Sequence, residues 1–395
     1  MNTGFAPKVT NRFVLTLGLC AILFFLLPAT ALFDPWSLLG GILPIIACGI
    51  CFGIYVRKVG LDLFGICAIG YWLLLMIDGY LMHANLFSCV RYNLPFTSGL
   101  LLARAVFPSH RDELLWSIVI VIGGYTALNS ADILCSLFGH SFFRQGDALG
   151  MLGNRNGFSR YYLPAIVSSA LLDYFHGKKL SVLTASFFAL AVFQAVIMPS
   201  ATSGVALVFF MVSFFVIHAK GARRFFNPAT FGALYFIAFF AIVILRSQGL
   251  FAPIVEGFFH KRLDFSGRTY IWDTVIDRLG TDPLHALIGF YGDTRRLSPI
   301  EPSLNTTHNA VLEVLYWGGL LGLLLILTVF ILAFWVLFRK RKSYPAALLS
   351  IFMGAFLIIG LFEHITCTQV WLFLGIAYSL KDCDDGIIDG GTESS

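Results

Sequence analysis

A histidine lies where a long polar segment of the chain meets a strongly apolar run. His308 is flanked by Thr307 and Asn309 in "NTTHNAVLEVLYWGG", residues 305 to 319. The unperturbed pKa of histidine, about 6.5, suits the imidazole to act as a general base at neutral pH. Glu313, one helical turn further on, is placed to face the same space and orient the ring. The structural alternative is an interfacial histidine that hydrogen-bonds a backbone carbonyl, with Asn309 serving only as a helix cap.

Arginines gather in two other polar segments. The first, "FGHSFFRQGDALGMLGNRNGFSRYY", contains Arg144, Arg155, Asn156 and Arg160. The second places Arg268 in the first turn of a predicted helix, where a cation is unfavourable for the helix dipole, so we expect it to serve another purpose. A guanidinium group donates two parallel hydrogen bonds to a phosphate and does not lose its proton. These residues therefore predict a site for a lipid-linked phosphate or diphosphate, with salt-bridged or snorkelling arginines as the structural alternative.

The elements that must position these residues are membrane helices. Of the 395 residues, 58% are hydrophobic and only 12% are charged, which is typical of a polytopic membrane protein. The eight cysteines lie mostly in apolar runs, so we interpret them as small hydrophobic residues rather than a disulfide framework. A helix needs about 20 apolar residues to cross a bilayer. The chain offers twelve such runs, near 13–33, 36–56, 61–81, 86–107, 114–135, 157–176, 180–198, 203–218, 228–246, 309–338, 345–362 and 365–380.

The distribution of basic residues predicts the sidedness of these spans. With a cytoplasmic N-terminus, every predicted cytoplasmic segment contains Lys or Arg, as the positive-inside rule requires. The two basic exceptions on the outer side are the loops 136–156 and 247–308, which we therefore expect to have a function. The first apolar run is predicted to be a retained signal anchor. The polar segment 381–395 is predicted to be a disordered cytoplasmic tail, and residues 1–395 form one membrane domain.

The large loop is predicted to contain a helix. In "GRTYIWDTVIDRLG" the apolar side chains Tyr270, Ile271, Val275, Ile276 and Leu279 recur at helical spacing. Gly280 and the following proline end the pattern, and Ser266 or Asp264 is the expected cap. We expect this amphipathic helix to lie on the outer membrane surface.

The order of these motifs resembles the O-antigen ligase and O-antigen polymerase superfamily. The resemblance rests on "SGR" at 266–268 followed by Trp272, "DP" at 282–283, "IGFYGD" at 288–293, "THN" at 307–309 and "GGLLG" at 318–322. The earlier "LGNRNGFSRYYLPA" is similar to the Asn-rich outer segment of that family. One departure is "MPSATSGVAL", which lacks the arginine that the family commonly has at this point.

The resemblance implies an all-α, GT-C-like glycosyltransferase of the bacterial inner membrane, with about twelve spans and one large structured periplasmic loop between spans 9 and 10. The donor would be a glycan on undecaprenyl diphosphate, the acceptor a sugar of the lipid A core, and neither metal nor other cofactor would be needed. His308 would be the base and Arg268 would bind diphosphate. Arg144, Arg155, Arg160, Asn156, Asn309 and Glu313 would assist in substrate binding.

Other functions remain open at this point. An O-antigen polymerase would join lipid-linked repeat units instead, and a protein glycan transferase of the same superfamily would use a protein acceptor. A lipid-linked glycan transporter would carry ionisable residues near mid-membrane and two related halves, whereas nearly all charges here lie at the ends of spans. A scaffold subunit would not need "THN" and "SGR" on one face. Membrane lipids are expected partners and nucleic acid is not.

Overall fold

The structure, a computed structural model, is almost entirely helical. It describes residues 6–27, 41–140, 142–143, 149–219, 221–247, 249, 267–292, 297 and 306–383. Within them one antiparallel ladder joins β1 (Leu149–Gly150) to β2 (Gly153–Asn154). The α-helices are α1 Ala6–Leu26, α2 Leu43–Lys58, α3 Leu63–Leu81, α4 Leu86–Ile118, α5 Gly124–Leu137, α6 Ser159–Phe175, α7 Val182–Ile197, α8 Ala201–Val216, α9 Pro228–Phe239, α10 Arg268–Thr281, α11 Pro283–Ile288, α12 Ala310–Arg339, α13 Tyr344–Gly360 and α14 Thr368–Ser379.

Each predicted span coincides at least in part with a described helix, and the pair 86–107 and 114–135 forms a nearly continuous element. Helix α4 is interrupted at His110, whose backbone is not helical (φ −140°, ψ 47°), and π-helical residues Val119–Gly123 join α4 to α5. Among the described residues, three stretches are long and apolar enough to cross a membrane by length and composition, namely Leu63–Leu81, Leu86–Leu137 and Ala310–Arg339. Shorter apolar helices include Val182–Ile197, Ala201–Val216 and Tyr344–Gly360.

Side-chain caps explain where several of these helices begin. The carboxylate of Asp62 accepts a hydrogen bond from Gly65 N (2.9 Å) at the start of α3, and Asn309 does the same for α12. Ser181 and Ser343 cap α7 and α13. Each cap satisfies a backbone N–H that would otherwise have no partner in the first helical turn.

Helices α13 and α14 form the centre of the core. Nearly all of their residues are buried, and α14 packs closely on α4. The contact leaves no room for a side chain at Gly375, where a Cβ would lie 2.4 Å from Leu100 O. The short connection 361–367 between these two helices therefore emerges at the middle of one end of the bundle, surrounded by the ends of other helices.

Helix α10 packs on the bundle through a second apolar cluster. The predicted helix in the large loop is α10, which buries Ile271, Trp272 and Val275 against α9 and α12. Tyr270 remains 51% exposed, so the buried stripe is narrower than the sequence pattern indicated. The expected caps Ser266 and Asp264 lie outside the described residues; Gly267, with φ 86°, precedes the helix.

Two glycines permit α11 to approach α12. A Cβ at Gly289 would lie 2.1 Å from Trp317 O, and one at Gly319 would lie 2.4 Å from Leu287 C. Both have positive φ, which favours glycine. Gly319 interrupts α12 (φ 60°, ψ −162°), so the nine residues before it form a separate short helix that begins next to His308. Gly318 and Gly319 thus serve close packing.

Polar contacts collect at the two opposite ends of the bundle. At one end, Arg104 pairs with Asp62 (3.1 Å) and with Asp382, all from segments predicted to be cytoplasmic. At the other, His308 and Arg268 both contact Glu363, all from segments predicted to be outer. Helix α13, with its 17 residues, connects the two ends and is about 25 Å long.

Candidate functional site

His308 lies in a constrained turn immediately before α12. Its φ is 51°, a left-handed conformation that is uncommon for a residue with a side chain. The turn is held from both sides: Trp272 Nε1 donates to Thr307 O (3.0 Å), and Thr307 N donates to Glu313 Oε2 (2.6 Å). Asn309 Oδ1 accepts from the first backbone N–H groups of α12 at 3.1 Å. The backbone therefore fixes the direction of the imidazole before any ligand arrives.

Glu363 gathers the predicted site residues around one carboxylate. Its Oε2 lies 3.0 Å from His308 Nδ1, and its Oε1 accepts from Asn156 Nδ2 (2.9 Å) and from the Arg268 guanidinium. The residues come from α10, the Arg155–Gly157 turn, the start of α12 and the α13–α14 connection, and they are separated by up to 207 positions in the sequence. The Glu363 side chain is only 6% exposed. A buried carboxylate is therefore surrounded by three donors.

The charge state of Glu363 follows from these contacts. Burial raises the pKa of the carboxyl, but the hydrogen bond from His308 and the charges of Arg268, His308 and Arg160 outweigh burial and lower the pKa to about 2. An ionised carboxylate only accepts hydrogen bonds, so His308 Nδ1 must donate to it. The opposite ring nitrogen, Nε2, is then the one with a lone pair in neutral His308. This pairing orients the imidazole as a base.

Most of the hydrogen-bond donors of Arg268 have no partner among the described residues. Of its guanidinium, only Nη2 contacts Glu363, and among the described residues it makes no further hydrogen bond. Its side chain is 19% exposed, beside His308 at 17%. The pairing with Glu363 explains why a cation is tolerated in the first turn of α10. The remaining N–H groups are available to an anion next to the imidazole.

A second chain of hydrogen bonds holds Arg160 beside this cluster. Arg160 Nη2 donates to His364 O (2.8 Å), and Nη1 lies 3.2 Å from His364 Nε2. Because an arginine can only donate, Nε2 must accept, which puts the His364 proton on Nδ1, facing Thr306 Oγ1 (3.4 Å). Thr306 in turn lies 3.4 Å from Glu313 Oε2. Burial, with the charge of Arg160, lowers the pKa of His364 to about 3, so the ring stays neutral.

The other predicted residues have different positions. Glu313 does not orient the His308 ring as expected; it accepts from Thr307 N, and Glu363 takes that role. Asn309 is fully buried and caps α12, so its amide is not open to a ligand. Arg155 is half-buried, with no side-chain hydrogen bond to a described residue. Arg144 lies outside the described residues, as does nearly half of the loop 247–308.

The sequence analysis does not identify Glu363 or His364. Both lie in "LFEHITC", between two apolar spans, with no periodicity or motif around them. The one available signal was an acidic residue in an outer connection that has no Lys or Arg. In the segment "MPSATSGVAL", Ser203 donates to Asn156 O (3.1 Å), and Arg160 supplies the second cation of the cluster.

An apolar cavity of about 140 Å³ adjoins the polar cluster. Its lining begins at Ala310 and Val311, directly after Asn309, and includes Ile365 and Thr366, directly after His364. Its lining also includes α12 residues from Leu323 to Phe334. A larger cavity, about 520 Å³, lies at the opposite end, between Arg12, His110 and Asp382. The carboxylates that line this larger cavity already pair with arginines or a histidine. Its lining contains no residue of the polar cluster, so the smaller cavity is the one that adjoins the candidate site.

The cluster contains an oriented imidazole and two arginines, and an apolar cavity adjoins it. Within the described part of the chain, no three His, Cys, Asp or Glu side chains are grouped so as to hold a metal ion. Comparison with models of known protein families finds no match for this chain. Comparison with curated protein sequences finds none either.

Proposed function

We propose that the protein is a glycosyltransferase of the bacterial inner membrane that transfers an undecaprenyl-diphosphate-linked O-antigen glycan to a sugar of the lipid A core, as an O-antigen ligase does. The observation that carries the proposal is the convergence of His308, Arg268, Arg160 and Asn156 on Glu363 and His364. His308, Arg268, Arg160 and Asn156 are also residues that the sequence predicts as base and substrate ligands. The family resemblance supplies the substrate class.

In this mechanism His308 removes the proton from the acceptor hydroxyl. The Nε2 lone pair accepts it, and Glu363, bonded to Nδ1, stabilises the imidazolium that forms. The acceptor oxygen then bonds to the anomeric carbon while the bond from that carbon to the diphosphate breaks, which inverts the anomeric configuration. The electron pair leaves with the diphosphate.

The arginines stabilise the departing diphosphate. Arg268, most of whose N–H groups form no hydrogen bond with a described residue, shares Glu363 with His308, and Arg160 contacts the neighbouring His364. Each preorganised donor aimed at charge that grows in the transition state contributes roughly 2 to 4 kcal/mol. Arg155 is available for the same purpose if the substrate extends towards the turn that contains it.

The apolar cavity along α12 supports a lipid-linked substrate. Its lining is apolar and includes Ala310 and Ile365, which lie next to the polar cluster in the sequence. An apolar part of a polyprenyl chain can occupy this cavity, with the diphosphate at the polar cluster. In the proposed topology the chain has about twelve spans, and the His308 end faces the periplasm while the Arg104 end faces the cytoplasm.

The proposal is tested by complementing a deletion strain with variants expressed at equal membrane levels. We expect His308→Ala to abolish transfer of long glycan to the lipid A core, with lipid-linked polymer accumulating. Arg268→Lys is expected to be impaired, because an ammonium group does not reproduce the guanidinium fork. Lys substitution of the half-buried Arg91, which lies over the Tyr92 ring and forms no hydrogen bond with the cluster, is the matched control.

Each outcome of the deletion separates the candidate functions. Bare lipid A core with lipid-linked long polymer indicates a ligase. Single repeats attached to the core indicate a polymerase instead. Loss of lipid-linked glycan from the outer leaflet indicates a transporter, and undiminished transfer in His308→Ala excludes the assigned base.

A further inference from the structure

The end of the bundle opposite His308 presents a basic surface assembled around Tyr344. Three connections meet at this ring: the Tyr174 ring stacks on it at 4.9 Å, the His218 ring lies at 5.4 Å, and the Arg223 guanidinium at 5.5 Å. The connections are α6–α7, α8–α9 and α12–α13. We call the surface the Tyr344 patch and define it by its exposed cations Lys178, Lys179, Arg224, Arg339 and Lys342.

The cations of the Tyr344 patch are not neutralised within the patch. Asp173, the acidic residue nearest to Lys178 and Lys179 in the sequence, is buried. Its carboxylate accepts hydrogen bonds from Ser181 N (2.8 Å) and Thr184 Oγ1 (2.7 Å). None of the five exposed cations forms an ion pair with a described carboxylate. Five like charges on one surface repel each other unless anions are bound nearby.

Exposed apolar side chains accompany these cations. Phe225, next to Arg224, is 65% exposed, and Leu180 and Val182, next to Lys179, are 47% and 84% exposed. Water satisfies the cations but not these side chains, and nucleic acid offers no apolar layer to Val182. The boundary between lipid headgroups and acyl chains accommodates both kinds of group.

The position of the patch agrees with such a boundary. It lies at the N-terminus of α13, about 25 Å from Glu363, which follows the C-terminus of the same helix. The hydrocarbon core of a bilayer is about 30 Å thick. If one end of α13 lies in one headgroup layer, the Tyr344 patch lies in the opposite layer.

We propose that the Tyr344 patch is a binding surface for the phosphate headgroups of anionic phospholipids. Guanidinium and ammonium groups from three connections contact lipid phosphates, while Phe225 and Val182 enter the acyl boundary. The occupied surface ties the connections α6–α7, α8–α9 and α12–α13 to one another through shared lipids. The proposal stands apart from the transferase activity, because it concerns the opposite end of the molecule.

The test compares two matched pairs of exposed cations in the purified full-length protein. Lys178→Gln/Lys179→Gln removes two charges from the patch, and Arg57→Gln/Lys58→Gln removes two from the end of α2, outside it. Nanodiscs of phosphatidylcholine with added phosphatidylglycerol, read by native mass spectrometry of the retained lipids, report the preference. One Lys or Arg near an anionic surface contributes about a fivefold gain in binding.

We expect the wild-type protein to retain phosphatidylglycerol over phosphatidylcholine, and the patch pair to weaken this preference at least fivefold, while the α2 pair changes it less than twofold. Lys178→Arg/Lys179→Arg should keep the preference, which excludes loss through misfolding. Equal losses in both pairs would mean a general effect of basic residues and would overturn the proposal. So would a wild-type protein without preference, or displacement of the lipid by soluble glycerol phosphate.

Discussion

Replacement of Glu363 by Gln tests the centre of the candidate site. The substitution keeps the size of the side chain but removes the charge that Arg268 and His308 share, and it turns an amide N–H towards one of these donors. A pKa of about 2 instead of the ordinary 4.5 means that the folded state favours the ionised carboxylate by roughly 3 kcal/mol at neutral pH. We therefore expect Glu363→Gln to lower the free energy of unfolding by about 3 kcal/mol at pH 7.

The pH dependence of this loss identifies its cause. Because the folded-state pKa of Glu363 is depressed, its contribution is fully present above pH 4.5 and is lost as the pH falls towards about 2. At pH 3 the difference between wild type and Glu363→Gln should have fallen to roughly half of its value at pH 7. Equilibrium unfolding in detergent micelles at both pH values measures the difference.

A surface ion pair provides the control for this measurement. Asp273, whose side chain is 62% exposed, pairs with Arg246. Asp273→Asn should cost less than about 1 kcal/mol, because exposed pairs contribute little. A Glu363→Gln protein as stable as wild type, or a loss that is equal at pH 7 and pH 3, would refute the ionised, donor-surrounded Glu363.

Two further predictions concern the surroundings of the site. Burial holds the pKa of His364 at about 3, so below pH 6.5 the unfolded chain binds a proton that the folded protein does not. The free energy of unfolding should therefore decrease by up to about 1.4 kcal/mol for each unit by which the pH is lowered below 6.5. His364→Asn should flatten the unfolding free energy between pH 6.5 and 5, and an unchanged slope would contradict this. Gly289→Ala should cost about 2 kcal/mol or more, because its Cβ would meet Trp317 O at 2.1 Å with φ at 108°. Gly124→Ala, with no atom within 4 Å of its Cβ, should not destabilise in the same thermal melt, and equal effects would count against the close approach of α11 to α12.

Local patterns in the sequence predict the helices and part of the site. Apolar runs of fixed length gave the positions of the helices, and the 3.6-residue spacing of Ile271 and Val275 gave α10. The "THN" motif at the start of an apolar run gave both His308 and the cap Asn309. These features depend on residues that are neighbours along the chain, so one sequence is sufficient to predict them.

Contacts between distant segments could not be predicted in the same way. Glu363 lies 55 positions from His308 and 95 from Arg268, and only the packing of α13 and α14 brings it to them. The sequence predicts a phosphate or a salt bridge for Arg268 but does not identify Glu363 as the carboxylate, since an acidic residue between two apolar spans has no local signature. Because Glu313 is close to His308 in the sequence and Glu363 is not, the sequence predicts Glu313 as the residue that orients His308.

Transfer by the purified protein tests the central claim most directly. The full chain, reconstituted in lipid, would be given a polyprenyl-diphosphate-linked saccharide and lipid A core oligosaccharide, with release of polyprenyl diphosphate and formation of the glycosylated core measured together. The account predicts equal amounts of both products in the wild type, and a fall of about 100-fold or more in His308→Ala, as the loss of a general base requires. Transfer at the wild-type rate in His308→Ala, or no transfer by the wild type from this donor, would contradict it.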